Sequence, residues 1–258
     1  ILGFKPTFGT ISRSGMSPIS QRLDHPGIYA NCVEDIDLVA SVILSYDSND
    51  LDMIQNYQYK RNINLNEPIK FGFVRGPVWN FGEEDMQSGI EEFVKKTSLD
   101  VEELDLGRDF NDAAKAHEII MNGSIVNSLI NYYQADKSNL HPFTVKRIEA
   151  GIPVSASDYV SAIEKAKKME QILGQVFLKY DAIITPASTG QAPRDLMNTG
   201  NAIFNGYWTM MGVPAISLPF LKGKDDLPIG IQFITNWNED LKLLEICKYI
   251  LKKEKLAD

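Results

Sequence analysis

Histidine is scarce in this chain: His25, His117 and His141 are the only three in 258 residues. They are too far apart in sequence to suggest a metal cluster by spacing, and no H-E-x-x-H pair exists. Cysteine is scarcer still. Cys32 and Cys247 form no CxxC, and two distant thiols fit a reducing compartment better than a disulfide, so a cytoplasmic setting is expected. Positive charge is short as well: 26 Lys and Arg against 34 Asp and Glu leave a net charge of −8. That balance argues against a broad surface for nucleic acid or an anionic membrane. No apolar run approaches the ~20 residues of a membrane-spanning helix. No basic segment followed by an apolar one marks a signal peptide at the start. Phosphate-loop, dinucleotide and nucleophile-elbow motifs are missing too, and no cofactor is expected.

What is present is a globular composition, 44% hydrophobic and 23% charged, in a chain long enough to bury a large core. Its first 27 residues stand out. Gly3, Pro6, Gly9, Gly15, Pro18, Pro26 and Gly27 punctuate a segment that still carries Leu2, Phe4, Phe8, Ile11 and Leu23. So many breakers predict irregular backbone, and so many apolar residues predict that it packs on a core. The chain does not open on Met, which fits a start created by truncation or processing.

Periodicity then gives the order of elements. Val33, Ile36, Val39, Ala40 and Ile43 predict one helix face. Residues 51–68 read as an exposed connection. Ile69–Val74 is a strand, Glu83–Lys96 an amphipathic helix with acids at its start, and Val101–Leu106 a second strand. That is a βαβ signal and implies a parallel pair. Helices are predicted over Phe110–Tyr133 and Ala156–Lys179, the latter opened by Ser155, with an irregular patch over Asn139–Arg147. Further strands fall at Tyr180–Pro186, Ala215–Pro219 and Ile229–Ile234. A helix at Ala202–Met211, a hairpin-like link at 222–228 and a closing helix at Glu239–Lys253 complete the pattern. The loop 187–201 is rich in Gly, Pro, Ser, Thr and Asn, the kind that carries function at strand ends. No repeat or linker divides the chain, so a single α/β domain over 1–258, built on a mixed β-sheet covered by helices on both sides, is the simplest account.

Five motifs in order turn this pattern into a resemblance. They are G-F-K-P-T-F-G-T-I-S-R-S-G with L-D-H-P-G (3–27), Arg147 and Gly151 ahead of S-A-S-D-Y, Y-D-A-I-I-T-P-A (180–187), F-N-G-Y-W-T-M-M-G-V-P-A (204–215) and L-P-I-G-I-Q (227–232). Together they resemble the amidase signature family of serine-dependent amide hydrolases over nearly the whole chain. The resemblance implies an α/β fold lacking its N-terminal part. It also implies hydrolysis of a small carboxamide or urea-like amide bond through an acyl-enzyme. In the family a Ser nucleophile, a second Ser and a Lys do this work, the Lys serving as base through the bridging Ser. All three lie upstream of the position matching Ile1. None of Ser12, Ser14, Ser17 and Ser20 matches the nucleophile, and Lys5 does not match the catalytic Lys, so no catalytic residue is assigned here.

Pocket wall is what remains for this chain to supply. The resemblance points to Asp24 and His25 in the L-D-H-P-G turn, and to Thr199, Asn205 and Trp208 in the loop-helix block, as substrate-binding residues. Each has a structural alternative: a turn in which Asp24 bonds nearby backbone, helix capping for Thr199 and Asn205, and core packing for Trp208. The expected partner is a small-molecule amide, with no nucleic acid, membrane or metal, and a homodimer is the open option for assembly. Two alternatives to the hydrolase stay open: one subunit of an amidotransferase for aminoacyl-tRNA, and a non-catalytic binding remnant.

Overall fold

A computed structural model describes residues 1–59, 63, 65 and 68–254. Among the described residues seven strands form one sheet: β1 (Leu2–Lys5), β2 (Ile28–Ala30), β3 (Lys70–Phe73), β4 (Asp100–Glu103), β5 (Ala182–Pro186), β6 (Ala215–Lys222) and β7 (Pro228–Ile234). Their order across the sheet is β2-β1-β6-β7-β5-β3-β4. β3 runs parallel to both β4 and β5, and every other neighbouring pair is antiparallel. The helices are α1 (Val33–Ile43), α2 (Glu84–Lys96), α3 (Ala113–Asp136), α4 (Pro142–Gly151), α5 (Ala156–Val176), α6 (Ile203–Met210) and α7 (Asp240–Lys253). No helix among the described residues is long and apolar enough to cross a membrane.

The mixed α/β sheet is the architecture the pattern predicts. β3, α2 and β4 make the expected parallel crossover. α2 carries Glu84 and Asp85 in its first turn and Lys95 and Lys96 in its last, charges that suit the helix dipole at both ends. Ser155 caps α5 by accepting the Asp158 N–H at 3.0 Å. Residues 222–228 do close a hairpin, with Gly223 donating to Leu227 O at 2.9 Å.

Alternation sorts the sheet into two faces. Phe233 meets Phe220, and Phe220 meets Phe93 of α2, with centroids 6.1 and 5.1 Å apart. The apolar side chains of β6 and β7 thus pack under α2. The opposite face carries α6, whose Asn205 and Thr209 share a cavity with Gly230 and Gln232.

Three expectations change. The first segment is not wholly irregular: Leu2–Lys5 is a strand, paired on both sides by β2 and β6, with Pro6 just past the last residue that needs a ladder bond. The patch at 139–147 and the Arg147–Gly151 turn are mostly α4, because Pro142 stands at the first helical position, where its missing N–H costs nothing. In α1 the buried stripe is Val33, Ile36 and Ala40, while Val39 and Ile43 face outward beside Leu38 and Val42, which are 60% and 70% exposed. The exposed connection expected over 51–68 lies partly outside the described residues.

Candidate functional site

Cross-strand rows build the floor of a groove. Gly3 stands opposite Ser217, Ser217 opposite Gln232, and Gln232 opposite Thr185. Residues directly opposite one another point to the same face. Along each strand the two-residue period adds Lys5, Ala215 and Gly230 to that face. The result is a cavity of about 650 Å³ with a small, polar floor, walled by His25 on one side and by Asn205 and Thr209 on the other. Gly230 keeps this row open, since a Cβ there would press on the Ser217 hydroxyl and force it to turn away.

A second cavity of about 660 Å³ continues the groove across the 187–201 loop, and the two share Ala187, Ser188 and Asn205. Two groove side chains fix the exit of β5: Asn205 Nδ2 donates to Ala187 O at 3.0 Å and Gln232 Nε2 to Pro186 O at 3.3 Å. The loop itself is pinned by charge. Arg194 pairs with Asp225 at 2.6 Å, and Gln191 exchanges two hydrogen bonds with Asp225. Glu83 lies under the loop, donating its N–H to Thr189 O at 2.6 Å.

Neutral groups dominate the deep end. His25 Nδ1 lies 2.9 Å from Leu23 O, a carbonyl that can only accept, so Nδ1 carries the proton and Nε2 is a bare acceptor. Nε2 is buried and meets no hydrogen-bonding group of the protein. Burial, then the charge of Lys5, lowers the imidazole pKa to about 3, so it stays neutral at pH 7. Phe8 packs edge-on against the ring at 5.2 Å. Lys5 Nζ donates to Val213 O at 2.6 Å and Pro6 O at 2.9 Å. Burial lowers its pKa to about 7, against the pull of Asp240. Such a groove can hold a neutral polar group by hydrogen bonds. Among the described residues lining it, no hydroxyl is bonded to a Lys or His that could take its proton, and Ser188 gives its own to Gly190 O at 2.6 Å.

His25, Thr199 and Asn205 come together along this groove. Asp24 does not join them. Its Oδ2 accepts the Ile19 and Ser20 N–H groups at 2.8 and 3.0 Å, and it lines a separate cleft with Arg13 and Tyr159. Trp208 is fully buried in the core cluster. Asn201, not Thr199 or Asn205, bonds the first turn of α6, accepting the Ile203 N–H at 3.0 Å. Ser217 and Gln232 escaped the sequence reading, although Ala215-x-Ser217 and Gly230-x-Gln232 carry the two-residue signal.

The family model for Amidase matches residues 1–244. This chain belongs to the amidase family. Among curated relatives, a glutamyl-tRNA(Gln) amidotransferase subunit from Mycoplasma genitalium is 24% identical over 95% of this chain and 60% of its own length. The subunit of the same name from Agathobacter rectalis is 28% identical over 91% of this chain and 54% of its own. A solved structure described as an amidase has the same fold, with a TM-score of 0.80 at 18% identity, over 95% of this chain and 56% of that one. This chain spans a little over half the length of these relatives.

Proposed function

We propose that these residues supply the floor and one wall of the substrate site in an enzyme that hydrolyses a small carboxamide or urea-like amide bond. The observation that carries this reading is the row Gly3, Ser217 and Gln232 beneath the neutral His25. The row is hydroxyl, amide and bare backbone, suited to an uncharged amide, with the Lys5 amine on the same face held by the Val213 and Pro6 carbonyls. The bond-breaking groups belong, in this proposal, to residues outside these 258. They are a Ser nucleophile, a bridging Ser and a Lys base, with backbone N–H groups for the oxyanion. Membership of the amidase family supports it. The same reading takes the chain as part of one α/β domain in a cytoplasmic, homodimeric protein, with Thr199 and Asn205 on the substrate side.

A second reading has one specific observation in its favour: the curated relatives named above are amidotransferase subunits. In it the amide would be that of glutamine and the ammonia would pass to a partner. Ammonia release by the whole protein separates the two. Turnover of simple carboxamides with no dependence on aminoacyl-tRNA supports the hydrolase. Release from glutamine alone, stimulated by a charged tRNA and its partner protein, supports the second. Release from neither substrate removes both.

A further inference from the structure

The two edges of the sheet differ in charge. On the edge strand β4, Glu102 pairs with Lys179 at 2.6 Å and Glu103 pairs with Arg75. Charge of this kind keeps an edge from taking a further strand. At the other edge, β2 is Ile28-Tyr29-Ala30 and carries no charge. No described strand pairs with its outer side, and the Tyr29 side chain is 79% exposed. Asn31 and Cys32 join β2 directly to α1, so the edge and the helix adjoin. From Leu38 to Ile43, α1 has no charged residue. Val33, Ile36 and Ala40 are buried against the core, while Leu38, Val39, Val42 and Ile43 are exposed, with Tyr46 just beyond them. A helix that is apolar on all sides belongs in an interior, and a contiguous exposed apolar patch marks an interaction surface.

We infer that the free edge of β2 and the outer face of α1 form one docking surface, and that its occupant is a strand with an adjoining apolar helix from the part of the protein outside these 258 residues. The curated relatives named above have two-fifths or more of their length outside the match, enough chain for such a unit. Position selects it as well. Tyr29 stands opposite Gly3, at the end of the row Gly3, Ser217 and Gln232, and lines the same cavity. A strand added beside β2 turns every second side chain onto the groove face, and so carries outside residues to the end of that floor. A second copy of this chain would cover the same surface and bring no new groups to the groove. The inference rests on the proposed function only in taking the protein to continue outside these residues.

Hydrogen exchange and thermal unfolding of the whole protein test this without reading activity, so absent turnover would count against the proposed function alone. The amides of Ile28–Ala30 that β1 leaves unpaired should exchange at least about 10²-fold more slowly than free amides. Leu38→Gln together with Val42→Gln should lower the unfolding midpoint by about 4 °C or more. Gln is as good a helix former as Leu and a better one than Val, so on an uncovered face the same pair leaves the midpoint unchanged or raises it. Either free exchange at the β2 edge or an unlowered midpoint overturns the inference. Protection and destabilisation that both vanish on dilution to a monomer assign the surface to a second copy, and overturn it as well.

Discussion

Thr7 gives both its backbone N–H and its hydroxyl to the carboxylate of Asp240, at 2.7 and 2.6 Å, across 233 residues of sequence. Both residues are buried. Asp240 opens α7, and the Thr7 hydroxyl also accepts the Asn238 N–H at 3.1 Å. The K-P-T segment at the end of β1 is thus anchored to the last helix, which fixes Lys5 in the groove floor. Thr7→Val keeps the shape and removes the hydroxyl from a buried carboxylate. It should cost about 1–3 kcal/mol of stability, read as a lowered urea midpoint with an unchanged slope.

Acid should weaken the fold through His25. The unfolded chain takes up a proton there near pH 6.5, while the folded imidazole, held neutral by burial and by Lys5, refuses it until about pH 3. Stability therefore falls as pH drops through that window. His117, lowered to about 4 by burial and by Arg147, adds to the same slope. Unfolding free energies between pH 7 and pH 4 should show His25→Gln releasing close to one proton's worth of that dependence. An unaltered slope would mean the ring is solvated.

Gly151 marks where α4 meets α3. A Cβ at this position would run into the Asn122 backbone carbonyl and the Val126 side chain. Backbone cannot give way as a flexible side chain does, so the helices must separate. Gly151→Ala should destabilise the protein by about 1–3 kcal/mol. Gly174→Ala in α5, where an added Cβ meets nothing within 4 Å, should be neutral or stabilising in the same thermal scan.

Asn205 links the wall to the floor through Ala187 O. If the proposed function holds, Asn205→Ala in the whole protein should leave the β5 exit free to shift and lower kcat/KM by about 10²-fold, the scale of an ångström-sized misplacement. Circular dichroism should show the fold intact. Full activity in this variant would place the substrate elsewhere.

Much of this fold is written in short-range pattern. The β3–α2–β4 crossover is announced by a strand, a helix with acids first and bases last, and a second strand with brief links. β1 is not, because Gly3 and Pro6 read as breakers, and only the partners β2 and β6, both distant in sequence, turn Leu2–Lys5 into a strand. α4 is hidden by Pro142 in the same way. The groove floor is half legible: Gly230 and Gln232 alternate onto one face, but nothing local says that Ser217 and Gly3 lie in the same row. The place of Asp24 in a neighbouring cleft, and of Trp208 in the core, depends on packing that no spacing in the sequence records.

The proposed function divides the labour, with binding surface in these residues and bond-breaking groups outside them. Ammonia release measured side by side on the purified 258-residue chain and on the whole protein tests it most directly. The account predicts turnover of a carboxamide by the whole protein and none by the chain alone. Turnover by the chain alone that persists through purification would contradict it.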